Sequence, residues 1–411
     1  MKLRILCLVT VIALVAPRAM AQPAEGGSVA PDWTQALASV ALINLTGPGG
    51  SPAWQTYGVV LGDPPRIVTR LSQLAGAEQG VATLRGGKKI GLSQIEAYDA
   101  TQDVAVLIAG DELPAPPDPA TAVRWRLNAV VFVMPGPGSE GVVTRQTVNE
   151  PFEYGPLRLV PLSGDLPAGL PVMDIQGKWV GLTGLLDDAS GRFSYLTSSE
   201  QIIPIIFSPP NLIPMAGLAV ETPPWRQPAT PEGLLTRAVL RSFEKPADAA
   251  SFFELAAQKD STIADIYFWK GKSLFRQQNY LEAANAFDKC IALRPNWVMA
   301  YHMAGTCASQ RAFYEKALEY YDRALALQPD FTLTLTNRAG AMYSLGRLQE
   351  STDILRRILE IEPTHTLAMY NLAATLKAMD RGAEAESVYT KLEPLDGYLA
   401  GQLRKLLDGG K

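Results

Sequence analysis

The residue types that carry acid–base and nucleophilic chemistry are unevenly placed in this chain. Its 411 residues include two histidines, His302 and His365, both in the C-terminal part. Residues 31–207 contain neither histidine nor cysteine. A hydroxyl nucleophile needs a base to take its proton, and imidazole is the usual one. No imidazole base and no His/Cys metal site can therefore be assembled within that region. Ser163 and Ser194, with Lys178 as base, would be the substitutes there, although serines near a lysine are common on surfaces. Of the three cysteines, Cys7 lies in the apolar stretch near the N-terminus. Cys290 and Cys307 are too few for a disulfide framework, and both read as small buried hydrophobes on helices. No cofactor is expected.

Residues 1–21 have the pattern of a signal peptide. Lys2 and Arg4 precede the apolar run Ile5–Ala16, and Ala19-Met20-Ala21 forms a small-x-small cleavage site. The chain is thus expected to be exported, to the periplasm or outside the cell. Without that leader 34 basic residues face 41 acidic ones, which gives no electrostatic reason to expect a nucleic-acid partner. The imbalance lies in residues 22–228, with 12 basic against 19 acidic; from Ala229 onward the two are equal at 22 each.

Two kinds of element would have to position any site. Up to about residue 207, short apolar runs alternate with Gly and Pro turns: Ser39–Leu45, Tyr57–Leu61, Arg66–Thr69, Gly80–Leu84, Val104–Ile108, Ala129–Met134, Leu157–Pro161, Trp179–Leu182 and Phe193–Thr197. This spacing predicts an all-β barrel or sandwich. Residues 208–230 hold six prolines, which exclude a helix, and enough apolar side chains to run along a domain surface.

From residue 264 the signal is a repeat. Pro295, Pro329 and Pro363 are 34 residues apart, and each closes a similar phrase: CIALRP, ALALQP, ILEIEP. That period is the one expected of tetratricopeptide (TPR) repeats, which are helix–turn–helix units. The units are read at 264–297, 298–331, 332–365 and, with a degenerate end, 366–394. Gly271, Gly305, Ala339 and Ala373 are the small residues that let paired helices approach. A degenerate hairpin at 231–263 and a last helix at 395–408 are read as caps. Counting along the first helices points Phe268, Lys272, Arg276, His302, Thr306, Asn337, Tyr343, Tyr370, Asn371 and Lys377 toward a groove suited to a peptide or protein segment.

The β-rich half also carries a resemblance. Tyr57–Gly62, Arg66–Thr69, the stretch ATQDVAVL from Ala100, VFVMPGPG from Val131 and the stretch from Val160 to Gly184 occur in one order. Together they resemble trypsin-like serine proteases of the Deg/HtrA type. The resemblance implies a double six-stranded β-barrel over residues 31–207. It also implies three triad places, occupied here by Ser72 for the histidine, Asp103 for the aspartate and Ala168 for the serine. Alanine has no hydroxyl, so covalent catalysis is impossible at that place. Leu166 and Leu170 stand where that family has glycines around its oxyanion hole.

The chain is thus expected to be an all-β trypsin-like double barrel joined to an all-α TPR solenoid. The leading functional expectation is an exported, non-catalytic interaction protein with a protein or peptide partner. The alternatives are an active hydrolase with an unrecognised site and a purely structural scaffold.

Overall fold

A computed structural model describes residues 33–109, 113–117, 129–137, 143–188, 191–216, 218 and 221–408. The stretch read as a leader lies outside the described residues. The chain forms two compact units that divide between Asp260 and Ser261.

The first unit opens with a short helix, α1 (Thr34–Ala38), followed by β1 (Val40–Thr46), β2 (Pro52–Leu61), β3 (Arg66–Thr69), β4 (Gln79–Leu84), β5 (Lys89–Leu92), β6 (Gln94–Asp99) and β7 (Val104–Leu107). Then come β8 (Val130–Val133), β9 (Thr144–Thr147), β10 (Phe152–Tyr154), β11 (Leu157–Pro161), β12 (Pro171–Met173), β13 (Trp179–Asp188) and β14 (Gly191–Ser198). Helix α2 (Ser199–Ile206) and a two-residue strand, β15 (Ile213–Pro214), complete the set. The strands form two antiparallel sheets. One has the order β15-β6-β7-β3-β2-β1-β4-β5 and the other β10-β11-β14-β13-β12-β8-β9. The two curled sheets fit a trypsin-like double barrel.

The period of two along a strand explains why runs of the first sheet such as Val59–Leu61 and Val104–Leu107 are apolar throughout. Val40, Val59, Val68, Val104 and Val106 face a core shared with Val172, Trp179 and Leu182 of the second sheet. Their neighbours Ala41, Val60, Ile67, Ala105 and Leu107 face a separate core with Leu71, Ile90 and Met215. Both faces of these strands are buried, so neither alternates with polar residues. Strands β5, β6, β9, β10 and β12 gave no run of their own in the sequence. They are short, and Lys, Gln, Glu or Arg interrupts most of them.

The proline-rich segment does more than follow a surface. Ile213 and Pro214 pair with Ile95 and Gln94 of β6, and Met215 and Trp225 are buried. The hairpin that follows, α3 (Pro231–Glu244) and α4 (Pro246–Lys259), falls in the barrel's unit. This corrects its reading as a cap of the array. Its side chains are engaged by the barrel: the Arg241 guanidinium lies 4.6 Å from the Phe193 ring, Phe252 meets that ring edge-on at 6.2 Å, and Glu244 accepts from the Gly164 amide at 2.9 Å.

The second unit is helical: α5 (Ala264–Arg276), α6 (Tyr280–Leu293), α7 (Val298–Gln310), α8 (Tyr314–Leu327), α9 (Thr332–Ser344), α10 (Leu348–Ile361), α11 (Thr366–Ala378), α12 (Gly382–Leu392) and α13 (Gly397–Leu407). First helices start at Ala264, Val298, Thr332 and Thr366, each 34 residues after the last. The close helix contacts are real. A Cβ on Gly271 would meet the Phe287 ring at 2.8 Å, and one on Gly305 the Tyr321 ring at 2.6 Å. The last helix is capped by Asp396, whose carboxylate accepts from the Leu399 amide at 2.9 Å.

Candidate functional site

Asp103 stands just before β7 in a left-handed conformation, φ 57°, which Asp tolerates better than most residues. Its side chain is buried. Ser72 lies in the short turn after β3, and its amide donates to Asp103 Oδ1 at 2.7 Å while its hydroxyl donates to Oδ2 at 2.9 Å. The two places assigned to histidine and aspartate are therefore in direct contact. The group facing the carboxylate is a neutral hydroxyl, which cannot serve as a base near neutral pH.

Two further side chains, neither legible in the sequence, complete the shell of Asp103. Tyr195 of β14 donates to Oδ2 at 3.3 Å. Arg226, from the proline-rich segment, places Nη1 2.6 Å from Oδ2 and 2.8 Å from the Tyr195 hydroxyl. Burial works against the Arg226 charge, but Tyr195 and Asp103 outweigh it and raise its pKa. Burial likewise raises the pKa of Tyr195, which stays a neutral phenol. Beneath it lies Arg70, fully buried, 5.2 Å from the Tyr195 ring. Arg70 Nε donates to the Thr183 carbonyl at 2.8 Å and Nη1 to the Thr197 hydroxyl at 2.7 Å. Desolvation lowers its pKa, against the pull of Tyr195 and Asp103.

Ala168, at the place the resemblance gives to the serine, sits in a turn in which the amides of Leu166, Gly169 and Leu170 are already engaged. Leu166 N donates to Ser194 Oγ at 3.0 Å, Gly169 N to the Thr183 carbonyl at 2.8 Å, and Leu170 N to Thr183 Oγ1 at 2.9 Å. Pro167 has no N–H. An oxyanion hole needs donors aimed at open space, and these three point into the protein. The side chains of Leu166 and Leu170 are buried in the core shared by the sheets. Gly169 has φ +85°, and a Cβ there would lie 2.0 Å from the Tyr57 carbonyl oxygen, so only glycine fits.

The substitute nucleophiles fare no better. Ser194 is buried, donates to the Gly164 carbonyl at 2.8 Å and accepts from Leu166 N. Ser163 is exposed and Lys178 half-buried, and among the described residues no hydrogen bond joins either serine to that lysine side chain.

In the helical unit the ten groove residues divide by burial. Phe268, His302, Thr306, Asn337, Tyr370 and Asn371 are buried, Lys272 and Tyr343 are half-buried, and Arg276 and Lys377 are exposed. The structure joins several of them. Phe268 stacks on Trp297 at 4.3 Å, and Lys272 Nζ lies 4.7 Å from the Trp269 ring. His302 Nδ1 is 2.9 Å from Thr334 Oγ1, the Thr306 hydroxyl donates to the His302 carbonyl at 2.9 Å, and Asn337 Nδ2 donates to Thr306 at 3.2 Å. These polar groups link first helices of neighbouring units, α7 and α9. The Asn371 side-chain oxygen is buried and, among the described residues, meets no hydrogen-bond donor.

Residues 264–297 and 302–366 match family models described as tetratricopeptide repeat. The helical unit is a tetratricopeptide-repeat array. Among solved structures, YrrB, titled a TPR protein with an unusual peptide-binding site, is similar at 24% identity over 42% of this chain and 90% of its own, with a TM-score of 0.37. The HtrA-type protease AlgW with tripeptide is similar at 19% identity over 43% of this chain and 62% of its own, TM-score 0.37. The Rv3671c protease from M. tuberculosis, in its active form, shares 20% identity over 42% of this chain and 80% of its own, TM-score 0.35. No curated protein matches the chain.

Within the tetratricopeptide-repeat array Cys290 and Cys307 are free and buried. Burial pushes both thiols up to about 12, which leaves them without thiolate at neutral pH. Among the described residues no helix is long and apolar enough to cross a membrane.

Proposed function

We propose that this chain is an exported, non-catalytic interaction protein, in the periplasm or outside the cell, in which a barrel without proteolytic chemistry accompanies a repeat array that binds a protein or peptide segment. The presence of TPR repeats supports the binding role. The observation that carries the non-catalytic reading is the occupancy of the Asp103 carboxylate by Ser72, Tyr195 and Arg226. A carboxylate so held orients no imidazole, and residues 31–207 contain no imidazole to orient. The three engaged turn amides support the same reading. In the array, the half-buried and exposed residues Lys272, Arg276, Tyr343 and Lys377 form the part of the groove a partner would touch, over a buried, hydrogen-bonded layer of His302, Thr306 and Asn337.

Two measurements test the proposal. The purified protein is expected not to cleave casein and not to be labelled by a fluorophosphonate probe. Labelling of a serine in residues 33–207 would overturn the non-catalytic reading and favour a hydrolase. For binding, Arg276→Glu with Lys377→Glu is expected to weaken capture of envelope proteins by the full chain without changing its melting midpoint. Unchanged capture would remove the groove from the account. Export is tested by fractionation, with the N-terminus of the exported form expected near Gln22.

A further inference from the structure

The contact between Arg226 and Asp103 has the composition of a recognition site. We propose that the pocket around Asp103 is a binding site for a guanidinium group, and that Arg226 is its built-in ligand, so that residues 223–230 form a strap sealing the pocket.

Three acceptors from three separate elements converge on one guanidinium. Nη1 donates to Asp103 Oδ2 at 2.6 Å and to the Tyr195 hydroxyl at 2.8 Å, and Nη2 reaches the Leu185 carbonyl at 3.4 Å. An aromatic wall completes the site. The Trp225 ring lies 5.4 Å from the Arg226 guanidinium and meets Tyr195 edge-on at 5.8 Å. A planar fork with several donors fits such a set, whereas a lysine ammonium would present a single point charge.

The strap is shaped to deliver that group. Pro224–Arg226 form a short helical turn in which Arg226 N donates to the Pro223 carbonyl at 2.9 Å and Gln227 N to the Pro224 carbonyl at 3.0 Å. Trp225 is buried and its Nε1 donates to the Thr101 carbonyl at 3.0 Å, two residues before Asp103. On the far side Arg237 of α3 donates to the Arg226 carbonyl at 2.9 Å. Arg226 is therefore gripped by its side chain on the barrel's side and by its carbonyl on the hairpin's, beside the barrel contact of Trp225.

Charge accounts for the closure. Asp103 is buried, and Ser72 and Tyr195 offer it only neutral donors. Arg70 spends its donors on carbonyls and the Thr197 hydroxyl. Lifting Arg226 would leave the carboxylate buried without an ion pair, the situation that makes breaking a buried pair strongly unfavourable.

The test is limited proteolysis of the full chain by chymotrypsin, following cleavage after Trp225 by fragment mass. Arg226→Ala and Asp103→Asn are each expected to be cut there at least about tenfold faster than wild type. Methylguanidinium at roughly tens of millimolar should slow cleavage of Arg226→Ala and leave Asp103→Asn unchanged, because only the former keeps the empty carboxylate site. Cleavage of Arg226→Ala at the wild-type rate, or an equal effect of methylguanidinium on both variants, would overturn the proposal. A measurement on wild type does not depend on whether the variants fold: the Arg226 and Gln227 amides should exchange as slowly as that of Thr183 in β13. Exchange at free-chain rates would also overturn it.

Discussion

Arg226 Nη1 lies 2.6 Å from Asp103 Oδ2, across 123 residues of sequence. By the resemblance drawn from the sequence, Asp103 stands at the place of the carboxylate that orients the base in a serine-protease triad. Here it anchors the segment that leads out of the barrel. The consequence for chemistry is that the missing groups cannot simply be put back.

Restoring the triad residues alone is expected to fail. In Ala168→Ser with Ser72→His, the new imidazole would compete with Arg226 and Tyr195 for Asp103, and Leu166 N would still donate to Ser194. Each missing oxyanion donor is worth about 2.7–4 kcal/mol of transition-state stabilisation. Hydrolysis of an activated ester by the double variant should not exceed that of wild type. Strong turnover would show that the turn can present its amides and that Arg226 yields easily.

Gly305→Leu should destabilise the array by about 1–3 kcal/mol through overpacking. The site has no slack. A Cβ there meets the Tyr321 ring at 2.6 Å and the Ala317 carbonyl oxygen at 3.2 Å, and a backbone atom in the facing helix cannot rotate away. An unchanged thermal midpoint would contradict this packing.

A third prediction concerns the turns inside the repeats. Gln278, Ala312, Gly346 and Asp380 all have φ between 59° and 75° and recur at 34-residue spacing. Only the third unit uses glycine, the residue that adopts this conformation without steric cost. Ala312→Gly is expected to stabilise the array by about 0.5–1 kcal/mol, a gain limited by the extra freedom of glycine in the unfolded chain. A lower melting midpoint would argue that the turn is not left-handed.

The fourth concerns pH. Burial lowers the pKa of His302 to about 4, from about 6.5 in an unfolded chain. Between those values the unfolded chain binds a proton that the folded one does not. Stability is therefore intact above about pH 6.5 and falls as pH drops toward 4, by an amount on the order of 3 kcal/mol. Denaturant titrations across that range should show this slope in wild type and lose most of it in His302→Gln. A slope identical in both would place the acid sensitivity elsewhere.

How far the sequence reached can be argued from these residues. The repeat was legible because its information is local. Each unit restates the same small, aromatic and proline positions every 34 residues, and the helices of an array bury their faces on sequence neighbours. The two-sheet half was legible where runs such as Val104–Leu107 are apolar on both faces, and less so in β9 and β10, whose residues are mixed. The assignment of Ser72 and Asp103 to triad places rests on the order of short motifs along the chain, and the absence of histidine from residues 31–207 was plain from residue types alone. Tertiary structure decided the rest. No local pattern pairs Arg226 with Asp103, because an ion pair depends on where two distant segments are brought and not on period or propensity. The same holds for the amides of Leu166, Gly169 and Leu170, whose acceptors lie on β13 and β14. The hairpin α3–α4 also went to the barrel for this reason: its helical period is the same whichever unit it packs on, and only the contacts of Arg241, Glu244 and Phe252 distinguish the two.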